Sequence, residues 1–103
     1  MSANPYRGEA SLLVGGETIL IRPSFGALVA AEEELGPLFA LVERAAEGKL
    51  GVGEMTALFD HLSREGRPEG ITRIRIGEAI VERGLAGVSP QLKMVLGQIL
   101  QGQ

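Results

Sequence analysis

The sequence of 103 residues contains no cysteine, no tryptophan and a single histidine. The lack of cysteine excludes disulfides, thiolate catalysis and zinc sites built on thiolates. Aromatic residues make up only 4% of the chain, so aliphatic side chains must supply most of the core. No apolar run approaches the roughly 18 to 20 residues of a membrane span, and the start, MSANPYRGE, lacks a signal-peptide core. These features predict a cytoplasmic protein with no membrane partner.

Positive charge is also scarce, since ten Lys and Arg residues face thirteen Asp and Glu residues and give a net charge of −3. A chain without a basic field is poorly suited to gather nucleic acid, so nucleic-acid binding is not expected. Hydrophobic residues at 45% and charged residues at 22% are typical of a folded protein. The length predicts a single domain, 1–103, with a modest core that self-association or a partner could stabilise.

The clearest local pattern is a β-hairpin within residues 8–22. Two apolar runs, Ala10 to Val14 and Ile19 to Ile21, flank Gly15 and Gly16, and paired glycines suit the positive φ angles of a tight hairpin turn. Counting outward from the turn predicts four antiparallel pairs, Val14 with Glu17, Leu12 with Ile19, Ala10 with Ile21 and Glu9 with Arg22.

The predicted register gives the hairpin two different faces. One face is apolar and should lie on the core; its residues are Ala10, Leu12, Ile19 and Ile21. The opposite face is mixed and leaves Leu13 and Leu20 exposed, at a hairpin whose edges could accept a strand from another chain. Replacing both leucines by serine is therefore expected to cost little stability and to weaken partner binding.

A first helix follows the hairpin directly. Pro23 has no N–H to donate to a strand ladder and ends the second strand, and Ser24 is suited to cap a helix that starts at Phe25. The helical period predicts that this helix ends at Gly36 and buries Phe25, Leu28, Val29 and Leu35. An isolated hairpin is marginal in water, so the helix is expected to cover its apolar face.

The remainder of the chain is predicted to be helical. A second helix after Pro37 buries Leu38, Leu41, Val42 and Ala45; a third from about Gly53 to Arg64 buries Met55, Leu58, Phe59 and Leu62; and a last one, capped by Ser89 with Pro90 first, buries Leu92, Val95, Leu96, Ile99 and Leu100. Residues 71–76 alternate like a strand, but the continuation favours a helix from Thr72 to Arg83 with Ile74, Ile76, Ala79, Ile80 and Val81 on its apolar arc. The strand remains the alternative.

Together these elements predict an α+β fold with an N-terminal antiparallel hairpin packed on a bundle of four to five short helices. Residues 1–7 are expected to be flexible, 8–22 to form the hairpin and 24–100 to form the helical part. The stretch NPYRGEASLLVGGETILIRPSFGALVAAEEELG, with its NPxRGE start, its RPSFGAL turn and its EEELG ending, resembles the gene transfer agent and phage tail assembly chaperone family, also labelled tail tube-related proteins.

The resemblance implies a function that the residue pattern alone does not give. It implies a non-enzymatic tail assembly chaperone of a phage, prophage or gene transfer agent, which binds the tape measure protein or tail tube subunits during tail morphogenesis. The alternative that it allows is a structural subunit of the tail tube or its connector. The implied location is the bacterial cytoplasm or the tail of a virion-like particle.

The inventory of reactive side chains does not support catalysis. His61 and Asp60 are the only residues of their kinds and are adjacent on a helix, so they diverge by about 100° and are expected to form a solvated helix edge. We likewise interpret four arginines as surface charge, namely Arg64, Arg67, Arg73 and Arg75. No catalytic, cofactor-binding or metal site is predicted.

One acidic run, Glu32 to Glu34, lies near a helix C-terminus, where negative charge is mildly unfavourable. The three side chains point in three directions and cannot form a chelate. The mismatch with the helix dipole raises the hypothesis that Glu33 or Glu34 meets a basic patch on another protein. Leu13, Leu20, Glu33 and Glu34 are therefore the predicted partner-binding residues.

Overall fold

A computed structural model describes residues 10–101. The elements in chain order are β1 (Ala10–Val14), β2 (Glu17–Ile21), α1 (Phe25–Leu35), α2 (Leu38–Ala46), α3 (Val52–Ser63), α4 (Arg73–Arg83) and α5 (Leu85–Gln101). The predicted α+β fold is therefore confirmed, with five helices after the hairpin in the described residues. The flexible segment predicted for 1–7 and the Glu9 to Arg22 pair lie outside the described residues.

The hairpin has the predicted register. Ala10 faces Ile21, Leu12 faces Ile19 and Val14 faces Glu17 across the antiparallel pair. Gly15 and Gly16 occupy the turn with φ angles of 56° and 83°, the two consecutive positive values that a type I′ turn requires. A side chain at Gly15 would also collide with the guanidinium of Arg75, which lies over the turn.

The predicted core face of the hairpin is confirmed. Ala10, Leu12, Ile19 and Ile21 are buried, and Val14 is buried on the same face. This face packs mainly against α3, α4 and α5, so the prediction that α1 is the helix that covers it is wrong. The end of β2 is tied to the centre of the fold by a hydrogen bond of 2.7 Å from the Arg22 N–H to the Leu62 carbonyl.

The centre of the fold is α3. It packs against α1, α4 and β2, and every residue from 55 to 63 is buried, including the four predicted core residues. A helix enclosed on several sides buries its polar positions together with its apolar ones, which no single apolar stripe anticipates.

The predicted buried stripe of α1 is wrong in part. Phe25 is 84% exposed and Val29 is also exposed, whereas the buried residues of the helix are Ala27 and Ala31. The small alanine side chains allow α1 to lie close against α3, and Leu28 and Leu35 fill the margins of that contact. Ser24 caps the helix as predicted, since its Oγ accepts a hydrogen bond from the Ala27 N–H.

The segment after residue 71 is a helix, so the strand alternative is wrong. Thr72 caps it, because its Oγ1 accepts a hydrogen bond of 3.3 Å from the Arg75 N–H, and Gly84 ends it at a φ of 85°. Ile76, Ala79 and Ile80 are buried as predicted. Two other members of the predicted arc, Ile74 and Val81, are exposed on the opposite side of α4.

The last helix begins earlier than predicted. It starts at Leu85, directly after Gly84, so Pro90 lies inside it and Ser89 is not its cap. The Ser89 Oγ instead donates a hydrogen bond of 3.1 Å to the Leu85 carbonyl, one turn back. Leu92, Val95 and Leu96 are buried as predicted, while Leu100 is exposed. None of the helices in residues 10–101 is both long and apolar enough to cross a bilayer.

Candidate protein-binding surfaces

Asp60 and His61 do not form a solvated edge, contrary to the prediction. Both side chains are buried, because α3 is enclosed by α1, α4 and the loop that joins α3 to α4. Asp60 turns toward that loop and α4, and His61 turns toward α1, as expected for adjacent positions that diverge around a helix. Each therefore has its own partners.

Three arginines converge on the Asp60 carboxylate. Arg64 Nη2 donates to Oδ2 at 2.9 Å, Arg73 Nε donates to the same oxygen at 3.0 Å, and Arg67 Nη1 lies 2.5 Å from Oδ1. Arg67 also donates to the Asp60 carbonyl and to Ser63 Oγ, which fixes the loop after α3. Three of the four arginines interpreted as surface charge thus belong to an internal ion-pair network.

The charges of this network have a structural role. Burial alone would raise the pKa of Asp60, but hydrogen bonds from Arg64, Arg67 and Arg73 outweigh it and lower that pKa to about 2. A carboxylate held ionised by several guanidinium groups is a poor proton acceptor. Among residues 10–101, no cluster of acidic and histidine side chains has a geometry that could hold a metal ion.

The three glutamates at the end of α1, Glu32 to Glu34, have three different environments. Glu32 Oε2 accepts a hydrogen bond of 3.1 Å from the Leu38 N–H, which caps α2 in place of the Pro37 side chain. Glu33 is exposed. Glu34 accepts hydrogen bonds from Nη1 and Nη2 of Arg73, at 2.6 and 2.8 Å, so a cation compensates the negative charge near the C-terminus of α1.

Glu34 also binds His61, whose Nε2 lies 2.6 Å from Glu34 Oε1. Hydrogen bonds from Arg73 and His61 lower the pKa of Glu34 to about 2. Within residues 10–101, His61 Nδ1 has no hydrogen-bond partner, so the tautomer protonated on Nε2 matches the contact available. Glu34 thus connects α1 to α3 and α4, and its binding to another protein stays a prediction, as it does for Glu33.

The two hairpin leucines differ in exposure. Leu13 is 51% exposed and lies beside a small cavity of about 170 Å³, which Gly16, Ala79 and Glu82 also line. Leu20 is half-buried, so its replacement by serine is expected to cost more stability than that of Leu13. Both residues lie on the face predicted for them, and partner binding there stays a prediction.

A broad apolar concavity lies between α3 and α4. It is a groove of about 610 Å³ lined by Val52, Gly53, Thr56, Arg73, Ile74, Gly77, Glu78, Val81 and Glu82. Gly77 lines it where α4 packs closely on α3, since an added Cβ would come within 3.3 Å of Thr56 side-chain atoms. Glu82 also lines the cavity beside Leu13, so the groove and that cavity are neighbours; we call them together the α3/α4 surface.

A second apolar surface lies between α2 and α5. Its main groove, of about 320 Å³, is lined by Val42, Ala45, Ala46, Ser89, Leu92, Lys93, Leu96, Gly97 and Leu100. A smaller cavity beside Phe39 shares Val42 and Leu100 with this groove. Among residues 10–101, this α2/α5 surface has no lining residue in common with the α3/α4 surface.

Sequence reasoning missed the α3/α4 groove because it assigned one apolar arc to α4. At about 100° per residue, Ile74 and Val81 fall on one side of the helix and Ile76 and Ile80 on the other. The second apolar face can be read from the sequence, because a single buried stripe on α4 does not need apolar residues at all four of these positions. In the arginine network, only the Asp60–Arg64 pair has the i,i+4 spacing of a pair on one helix, whereas Arg73 and Glu34 are 39 positions apart.

The comparisons with known proteins agree with the resemblance seen in the sequence. The model of a family described as "Phage tail tube protein, GTA-gp10" matches residues 7–102. No curated protein and no solved structure matches the chain.

Proposed function

Since the chain belongs to the phage tail tube protein family GTA-gp10, we propose that it is a structural subunit of a phage-like tail, in the tail tube or its connector. The match over residues 7–102 is the observation that carries this proposal. The sequence resemblance alone ranks a tail assembly chaperone first and the structural subunit second, whereas the description of the family favours the reverse order.

The distribution of apolar surface supports a structural subunit. The α3/α4 and α2/α5 surfaces share no lining residue in the part of the chain that the structure describes, so two neighbours could bind without competing for the same side chains. A subunit in a ring or stack needs at least two different contact surfaces, because head-to-tail contacts join unlike patches. Exposed aromatic side chains, Phe25 and Phe39, add apolar area that such contacts could bury.

The tail assembly chaperone is the second candidate function, and the size of the sheet favours it. The described sheet has two strands of five residues each, and helices cover one of its faces. Such a sheet offers little strand edge from which to build a continuous tube wall. A chaperone would instead cover apolar segments of tail proteins before they assemble and release them afterwards.

Both candidate functions act by binding alone. The ionisable groups buried in α3 are committed to the arginine network, which supports a non-enzymatic role. The partners we propose are other tail proteins, the tape measure protein and the tail tube subunit, with self-association as a further contact. The location we propose is the bacterial cytoplasm during assembly and the particle tail afterwards.

Co-expression with the neighbouring tail genes tests the proposal. The tagged chain is purified together with its bound proteins, and the finished particles are then probed for the chain by electron microscopy with a labelled antibody. A structural subunit is recovered with tail proteins and is found in the tail of the particle. Recovery with the tape measure protein, together with absence from finished particles, would instead support the chaperone, and recovery of no tail protein would contradict both.

A further inference from the structure

The helix α4 has two apolar faces, and only one of them is used within the fold. Ile76 and Ile80 are buried in the core, whereas Ile74 is 74% exposed and Val81 is 66% exposed on the opposite side. We propose that the groove between α3 and α4 binds an amphipathic helix of another tail protein whose apolar stripe is flanked by basic side chains. This inference rests on the proposed function as a tail protein that binds other tail proteins.

The dimensions of the groove fit one helix face. Ile74 and Val81 are seven residues apart, about 10 Å along α4, which is the length over which a bound helix presents apolar residues at i, i+3 or i+4, and i+7. Val52 provides a third exposed apolar side chain from α3, across the groove. Two of the lining residues, Gly53 and Gly77, have no side chain, so a guest side chain could approach the backbone there.

The rim of the groove carries negative charge. Glu78 and Glu82 line the groove one helical turn apart, and both are exposed. Neither carboxylate has an ion pair within the described part of the chain, and like charges at this spacing mildly destabilise a helix. Arg73 also lines the groove, but its guanidinium is committed to Glu34 and Asp60. The free charge of the rim is therefore negative, and its complement is a pair of basic residues one turn apart.

A second copy of this chain does not supply that complement. Among helices α1 to α5, none carries two basic residues at a spacing of three or four. Lys93 is the only basic residue of α5, and Arg44 of α2 is paired with Glu54. The charge pattern thus points to a different protein, and self-association through the groove becomes an outcome that the test can exclude.

Designed peptides test the chemistry of the groove. The probe is an 18-residue amphipathic helix with a leucine stripe flanked by lysines, and its control has glutamates at the flanking positions. We expect the protein to bind the lysine peptide about tenfold more tightly, the effect of two exposed ion pairs. The double variant Glu78→Lys and Glu82→Lys should reverse this preference. The matched variant Glu43→Lys and Glu47→Lys, at the end of α2 and directly after it, should keep it.

Three results of the peptide experiment would overturn the inference. They are equal affinity for the two peptides, binding of neither peptide, and the same change of preference in the matched variant as in the groove variant. Raising the salt concentration should lower the affinity for the lysine peptide and reduce the preference, because exposed charge pairs are screened.

Photo-crosslinking separates this inference from the proposed function. Because the chain has no cysteine, Val81→Cys places a unique thiol in the groove, and Glu43→Cys places one outside it. Each is labelled with a photo-crosslinker and added to extracts containing the tail proteins. We expect the groove probe to attach to a basic amphipathic segment of a tail protein.

Attachment to another copy of this chain, or capture of tail proteins by the control probe alone, would refute the inference and leave the proposed function intact. Capture of no tail protein by either probe would contradict the proposed function, and the peptide preference would still decide the inference.

Discussion

Replacing Asp60 by asparagine tests whether the buried ion-pair network stabilises the fold. The substitution keeps the shape of the side chain and removes the charge that Arg64, Arg67 and Arg73 share. The folded-state pKa of Asp60 is about 2, compared with an ordinary value of 3.8. A difference of this size corresponds to about 2 kcal/mol of stability at neutral pH. We expect Asp60→Asn to lower the free energy of unfolding by about that amount, because Arg64 and Arg73 are exposed enough to regain water when the charge is lost.

The pH dependence of this effect distinguishes charge from packing. Because the folded-state pKa of Asp60 lies below the unfolded value, the stabilisation is complete above about pH 4 and is lost as the pH falls toward 2. The unfolding free energies of the wild type and of Asp60→Asn should therefore differ at pH 7 and converge near pH 2. Urea denaturation followed by circular dichroism measures both. A difference that persists unchanged at pH 2, or is absent at pH 7, would refute the electrostatic explanation.

Three further perturbations test other parts of the structure. Glu34→Gln should lower the urea midpoint at pH 7 more than Glu33→Gln does, because only Glu34 holds Arg73 and His61. Gly15→Ala should destabilise the protein by about 1 kcal/mol, because alanine is strained at a φ of 56°. Gly26→Ala in α1, where an added Cβ meets no other atom, should instead stabilise the protein by a similar amount. Equal effects of the two substitutions in thermal melts would contradict the turn geometry. Leu13→Ser should change the unfolding free energy by less than about 0.5 kcal/mol, since the side chain is exposed; a loss of folding would show that the hairpin face is wrongly assigned.

Local chemistry explains what could be predicted from the sequence. The hairpin register follows from Gly15 and Gly16, because a two-residue turn leaves only one pairing of the flanking strands. The start and end of α4 follow from Thr72 and Gly84, residues whose side-chain oxygen and backbone freedom suit helix ends. In both cases the determining residues are adjacent to the feature that they specify.

The errors arise where distant parts of the chain decide the outcome. Phe25 is more hydrophobic than Ala27, so the sequence alone predicts that Phe25 is buried. In the structure, the close contact of α1 with α3 buries the smaller Ala27 instead. Asp60 has the sequence context of a helix edge and becomes buried because α3 is enclosed by elements far along the chain. The groove between α3 and α4 likewise exists only after two helices pack, although the second apolar face of α4 is visible in its periodicity.

The composition of finished particles tests the central claim most directly. Purified particles are digested, and the amount of this chain is measured by quantitative mass spectrometry relative to another tail protein of the same particles. A structural subunit of the tail tube or its connector predicts a fixed ratio that is the same in every preparation and survives high-salt washing. Absence of the chain from particles whose producing cells contain it would contradict that claim.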